Sequence, residues 1–157
     1  MITDYDVLIA GFGKAGKTIA AKLAAAGRKV ALIEKDPGMY GGTCINVGCI
    51  PSKRLIEDAM HAPDGLLEEK AEYYRRAIAE KRILTAALRK ANYDKLIAAG
   101  VSVIDGTASF EDAFHLAVDT AEGRILLQGK QIIINTGSVP VIPPIPGADQ
   151  SLSLIHI

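Results

Sequence analysis

The sequence predicts an α/β chain: a parallel sheet raised around one βαβ unit, with a β-meander inserted late in the chain. Three observations carry that expectation. A short apolar run, Tyr5 to Ala10, passes through a glycine-rich turn into an alanine-rich helix and then a second apolar run, the order a buried parallel strand pair requires. A long stretch with three-to-four residue apolar spacing follows. From Val101 onward the pattern shortens to strand-length runs punctuated by Gly106, Gly123 and Gly129, which is the pattern of a meander.

Taken in order, Tyr5 to Ala10 is expected as the first strand, and Lys17 to Ala26 as a helix ended by Gly27. Lys29 to Ile33 is the second strand, with Glu34 at its carboxyl end. Residues 36–43 hold three glycines and read as a loop. A helix near Ile50 to Met60 starts with Pro51 placed for a first turn, and residues 61–65 break it. Leu66 to about Ala99 is one or two amphipathic helices, with Leu67, Ala71, Tyr74, Ile78, Leu84, Leu88 and Ala91 on the apolar side. The charges Glu68, Glu69, Arg75, Arg76, Lys81 and Arg82 read as its solvated face. Strands are expected at Val101 to Ile104, Thr107 to Phe110, His115 to Val118, Ile125 to Leu127 and Gln131 to Asn135. Ser138 to Gly147 carries four prolines and reads as an extended connector.

Composition narrows the function classes. A chain of 157 residues with 49% apolar and 23% charged residues has room for one domain and a proper core. Eighteen basic residues balance eighteen acidic ones, so nothing points to nucleic acid or an anionic membrane. Tryptophan is absent and aromatics are 5%, which removes the stacking platforms of single-strand binders. The start lacks a basic n-region and an apolar h-region, and no apolar run approaches a membrane span. A cytoplasmic enzyme is the expectation, and two cysteines in a reducing compartment then point to catalysis or metal binding over structure.

Gly11-Phe12-Gly13-Lys14-Ala15-Gly16 matches G-x-G-x-x-G in the context that gives the pattern meaning. It follows a strand, opens a helix, and is followed by Glu34 eighteen residues after the last glycine. Gly11 permits the tight turn, Gly13 lets backbone approach a pyrophosphate, and Gly16 permits close helix–strand packing. The helix N-terminus offers amides and partial positive charge to a diphosphate, and Glu34 suits a ribose lacking a 2′-phosphate. The architecture is therefore Rossmann-like.

Both cysteines, Cys44 and Cys49, lie within Gly41-Gly42-Thr43-Cys44-Ile45-Asn46-Val47-Gly48-Cys49-Ile50-Pro51-Ser52-Lys53. Four residues between two cysteines at a helix start puts both sulfurs near the positive end of a dipole, which lowers thiol pKa. Gly41, Gly42 and Gly48 let a flat ligand come close to the backbone. The three histidines supply no partner spacing for a zinc site, so no metal ligands are assigned. A structural disulfide would close too small a ring to constrain much of the unfolded chain. Two inert buried cysteines are the bland alternative.

Together with Ile134-Asn135-Thr136-Gly137-Ser138-Val139-Pro140, these motifs resemble those of the class I pyridine nucleotide-disulfide oxidoreductases, the flavoenzyme group of dihydrolipoamide dehydrogenase, glutathione reductase and mercuric reductase. The wording of the glycine turn and of Met39 to Asn46 is similar to that of the bacterial flavoprotein reductases of reactive-chlorine resistance. The resemblance covers nearly all of residues 4–149. It implies that Gly11, Gly13, Gly16 and Glu34 bind the ADP half of FAD, and that Gly42, Thr43 and Lys53 lie along the diphosphate and isoalloxazine. It implies that Cys49 is the charge-transfer thiol beside the flavin and Cys44 the interchange thiol facing substrate. Electrons would run from NAD(P)H through flavin to the Cys44–Cys49 disulfide and on to a disulfide, metal ion or other oxidant. Thr136 and Gly137 match the Ala-Thr-Gly turn that closes against FAD, with Asn135 where the family carries alanine. A homodimer is implied for the full-length protein.

The resemblance also implies domain limits. Residues 1–147 are expected to be the N-terminal part of a FAD-binding domain, truncated before the NAD(P) domain, and 148–151 the start of a connector. Residues 152–157, Leu-Ser-Leu-Ile-His-Ile, match a translated transposase adapter and are expected to be an adapter-derived tail. As it stands the chain is expected to be incomplete for turnover. Two other readings stay open: a stand-alone flavin-binding or redox-sensing module, and an NAD-binding dehydrogenase domain that leaves the cysteines unused.

Overall fold

The computed structural model describes residues 2–139 and 141–147. The proposed connector at 148–151, the proposed tail at 152–157 and Pro140 lie outside the described residues. Six strands form one sheet in the order β3-β2-β1-β6-β5-β4. The strands are β1 (Ile2–Ala10), β2 (Val30–Glu34), β3 (Ser102–Asp105), β4 (Thr107–Phe110), β5 (His115–Thr120) and β6 (Gly123–Ile134). The helices are α1 (Lys14–Ala25), α2 (Thr43–Asn46), α3 (Cys49–Met60) and α4 (Leu67–Ala98), with a short 3-10 turn at Pro37–Met39.

The β1–β2, β2–β3 and β1–β6 pairs are parallel. β4, β5 and β6 form the antiparallel meander. Strand alternation sends successive side chains to opposite faces, and the two faces of the parallel sheet have separate tasks. Val7, Ile9, Val30 and Leu32 pack with Ala20 of α1 and Leu96 of α4. Leu8, Ala31 and Ile33 pack with Leu116, Val118 and Leu127 of the meander. Each such fully buried aliphatic contributes about 1.5–3 kcal/mol relative to exposure. Both sheet faces are thus covered, which is why β1 and β2 read as near-continuous apolar runs.

β3 and β4 lie at opposite edges of the hydrogen-bonded order, yet only Gly106 joins them. The sheet must therefore curl so that its edges approach. The bend is tight: a Cβ on Gly106 would stand 2.7 Å from both the Asp119 carbonyl oxygen and Val118 Cγ1. The curl lays the meander over β1 and β2.

Several expected elements are corrected. The runs at Ile125 to Leu127 and Gln131 to Asn135 are one twelve-residue strand, β6. Gly129 continues it because that glycine is buried against β1, where a Cβ would meet Leu8 Cγ at 2.8 Å. The strand at Val101 to Ile104 belongs to the parallel sheet through its pairing with β2, not to the meander. The cysteine segment contains the extra one-turn helix α2. α4 is a single helix of 32 residues, and its buried stripe runs through Ala77, Ile78, Lys81, Thr85 and Leu96 while Leu67 is 83% and Tyr74 51% exposed. Lys81, expected on the solvated face, is buried and its pKa is depressed by that burial. α1 ends as Gly27 foretells, and α4 ends in the same way at Gly100: both glycines take positive φ, and Arg28 N–H and Val101 N–H reach back to the Leu23 and Leu96 carbonyls. Among the described residues no helix is long and apolar enough to cross a membrane.

Candidate functional site

The site lies where β1 and β2 end, the point at which an open α/β sheet offers its crevice. β1 delivers the chain into the Gly11–Gly16 turn, and Gly13 is the N-cap of α1 with no side chain bonding the first amides. Those N–H groups therefore remain free for an anion. No acidic residue stands in the first turn of α1 to compete for them.

Glu34 ends β2 and is 9% exposed. Its Oε2 accepts the Phe12 N–H at 2.8 Å and its Oε1 accepts the Asp36 N–H at 3.1 Å. A carboxylate has about four acceptor positions, so two backbone bonds orient Glu34 and leave it able to take ribose hydroxyls. Glu34, Gly11 and Thr136 line one cleft of about 140 Å³ together with Ala10, Gly106 and Ala108. Residues 124 positions apart, Gly11 and Asn135, are brought together by the β1–β6 pairing.

The cysteine segment meets the glycine turn directly. Gly42 has φ 81° and ψ −173°, and a Cβ there would stand 2.8 Å from Gly13 Cα. Thr43 begins α2, Cys44 is its second residue and partly buried, and Cys49 is exposed as the first residue of α3. Gly42 thus seats the cysteine segment on the turn that follows β1, and Glu34 bonds the same turn through the Phe12 N–H. Lys53 is exposed on α3, one helical turn beyond Cys49. Gly137 has φ 74° and follows Thr136 out of β6.

Cys44 and Cys49 form no disulfide in the structure. Cys49 as a side-chain hydrogen-bond partner, then burial, then the negative charge of an ionised Cys49 push the Cys44 thiol above its ordinary range, while Lys14 and Lys17 pull it down. The expectation of a thiol lowered by a single helix dipole is corrected for Cys44. It sits in a separate short helix, and two neighbouring thiols cannot both ionise cheaply. Because the chief cause is Cys49, the Cys49→Ala variant should move the pH midpoint of Cys44 alkylation downward, and Lys17→Met should move it upward. Peptide-resolved iodoacetamide rates against pH measure both shifts, and a midpoint that rises in Cys49→Ala would refute the assignment.

Several positioning residues carried no sequence signal. Phe12, fully buried, packs its ring at a tilt of 37° against Tyr40, 4.9 Å between centroids, and Tyr40 stacks on Tyr93 of α4 at 5.2 Å. Tyr40 also donates its hydroxyl to Asp105 at the end of β3. Asn46 Nδ2 donates to the Tyr40 and Gly42 carbonyls at 3.0 and 2.9 Å, and Arg89 of α4 donates to Asn46 Oδ1 at 3.1 Å. Lys17 of α1 donates to Asn92 of α4. Apart from the local Asn46 bonds to Tyr40 and Gly42, these contacts join elements distant in sequence, so periodicity could not reveal them.

The arrangement can hold an extended dinucleotide, with its ribose at Glu34 and its diphosphate at the α1 N-terminus, directed toward a dithiol. Glycines at the close approaches and uncapped amides on α1 fit FAD.

Comparison with known proteins shows the family and the fold. The family model described as pyridine nucleotide-disulphide oxidoreductase matches residues 5–157. The probable pyridine nucleotide-disulfide oxidoreductase RclA of Escherichia coli (strain K12) is 46% identical over 144 residues, covering 91% of this chain and 31% of that protein. A mercuric reductase of Streptomyces lividans is 35% identical over 159 residues, covering 94% of this chain and 33% of that protein. The solved Cu(II) complex of HOCl-induced flavoprotein disulfide reductase RclA from Escherichia coli superposes with a TM-score of 0.82 at 46% identity, over 92% of this chain and 31% of that one. The chain spans about a third of the length of the curated relatives it matches.

Proposed function

The chain belongs to the pyridine nucleotide-disulphide oxidoreductase family, and from that premise we propose that residues 1–147 form the FAD-binding, dithiol-bearing part of an NAD(P)H-dependent flavoprotein reductase. The observation that carries this reading is the contact of Gly42 with Gly13, which sets the cysteine segment against the nucleotide turn. FAD, when bound, supplies two-electron exchange between a nicotinamide hydride donor and a dithiol.

The chain's own residues do the rest. Glu34 accepts ribose hydroxyls, and the α1 amides after Gly13 receive the diphosphate. Gly11 and Gly16 keep the turn compact. Gly42 and Thr43 line the path toward the sulfurs, and Lys53 places a cation one turn beyond Cys49. Thr136 and Gly137 close the other wall. Oxidation of the pair forms the Cys44–Cys49 bond and releases two electrons and two protons to the acceptor; two electrons and two protons returning reopen it. Lys14 and Lys17 stabilise the thiolate of Cys44 that attacks an acceptor. Such a dithiol cycle suits a cytoplasmic enzyme, and the acceptor is a disulfide, a metal ion or another oxidant. Residues 148–151 lead toward an NAD(P) domain, and the complete protein is a homodimer.

The test is an anaerobic absorbance spectrum of the protein expressed from its complete reading frame, before and after one equivalent of NADH or NADPH. A flavin spectrum that gains a long-wavelength thiolate-to-flavin band, lost in Cys49→Ser, is the expected result. Flavin that is reduced without the band and without any change in titratable thiols would sink the relay. Protein that carries no flavin would sink the FAD assignment itself.

A further inference from the structure

We infer that Asn135 is a positioning residue for the nucleotide turn: its carboxamide, inserted among Gly11, Gly13 and Gly16, holds the turn in the shape that presents the α1 amides. The inference rests on the reading in which that turn receives the FAD diphosphate.

Asn135 follows β6 directly and bonds both the last residue of β1 and the first residue of the turn. Its backbone N–H donates to the Ala10 carbonyl at 2.8 Å, and its Nδ2 donates to the Gly11 carbonyl at 3.1 Å. The space required by all three glycines converges on this one residue. A Cβ on Gly11 would stand 2.2 Å from the Asn135 carbonyl oxygen. On Gly13 it would stand 2.7 Å from Asn135 Nδ2, and on Gly16 2.5 Å from the same atom. Real Cβ atoms do not approach so closely.

The Gly13 contact is the most informative. Gly13 has φ −71° and ψ 171°, ordinary extended backbone that alanine adopts freely. The three atoms nearest its Cβ position all belong to the Asn135 side chain. Its lack of a side chain is therefore required by Asn135 as well as by any ligand outside the turn. Moving the carboxamide aside would break its bond to Gly11 and leave that carbonyl without this donor. Thr136, the next residue, lines the cleft beside Glu34, so Asn135 ties the turn to the opposite wall of that cleft.

The complete protein is stripped of flavin and reconstituted with FAD, and the thermal midpoint of the apoprotein is measured alongside. Asn135→Ala is expected to weaken FAD binding roughly 3- to 10-fold, the range of one net hydrogen bond, with the flavin reduction potential unchanged. Asn135→Asp, which keeps the shape but opposes an acceptor to the Gly11 carbonyl, should weaken it at least as much and serves if the alanine variant does not fold. Gly13→Ala should lower the apoprotein midpoint in the parent and have little effect in the Asn135→Ala background. Equal FAD affinity in parent, Asn135→Ala and Asn135→Asp overturns the inference, as does a Gly13→Ala penalty that is the same in both backgrounds. A parent protein that binds no FAD overturns instead the reading on which the inference rests.

Discussion

Gly42→Ala is expected to destabilise the protein by about 2 kcal/mol or more and to release bound flavin. Two costs add at this position. With φ 81° and ψ −173°, Gly42 occupies a backbone region nearly closed to other residues, and forcing an L side chain there costs of order 1–3 kcal/mol. The new Cβ would also stand 2.8 Å from Gly13 Cα, and since that neighbour is backbone, the glycine turn and the cysteine segment must part. The loss is therefore not confined to stability, because the separated elements are the two that frame the proposed diphosphate path. Urea denaturation and the flavin-to-protein absorbance ratio measure the two effects. Wild-type stability with full flavin content in Gly42→Ala would show that the two motifs are not in contact.

Phe12→Ala is expected to cost about 3–5 kcal/mol, the range for deleting a buried aromatic side chain. Phe12 occupies a variable position of the glycine pattern, yet it is fully buried. Its ring packs in the core with Val7, Ile9 and Leu96 and meets the Tyr40 ring in a tilted contact. Its backbone N–H is also the donor that orients Glu34. Truncation thus leaves a cavity under the turn and loosens the aromatic chain Phe12–Tyr40–Tyr93 that connects the glycine turn, the pre-cysteine loop and α4. Such a loss is a large share of a domain's typical 5–15 kcal/mol. Leucine at the same position should recover most of the burial but not the tilted ring-to-ring contact. Denaturant midpoints of the alanine and leucine variants separate the two contributions, and an alanine variant within 1 kcal/mol of the parent would contradict the packing.

What the sequence determined by itself was local and periodic. The run Tyr5 to Ala10, the glycine turn, the helix ending at Gly27 and the strand leading to Glu34 form one continuous segment, and each signal acts within a few residues of the next. The cysteine segment was legible for the same reason: its chemistry is written in thirteen consecutive residues. Strand-sized runs after Val101 revealed that strands exist there, but not which partners they take. Pairing depends on the curl about Gly106 and on β6 running unbroken through Gly129, and both are set by contacts with β1, β5 and Val118.

Only the tertiary structure decided how the motifs address one another. It placed Gly42 on Gly13, set Asn135 inside a turn 124 residues earlier, and buried Lys81 on a helix whose periodicity had turned it outward. It also reversed the direction expected for the Cys44 thiol, because a hydrogen bond to Cys49 and burial outweigh Lys14 and Lys17. The physical reason is common to all four. A helix dipole or an apolar period is a property of neighbouring residues. Steric exclusion, desolvation and proton sharing depend on whichever atoms the fold brings within a few ångströms.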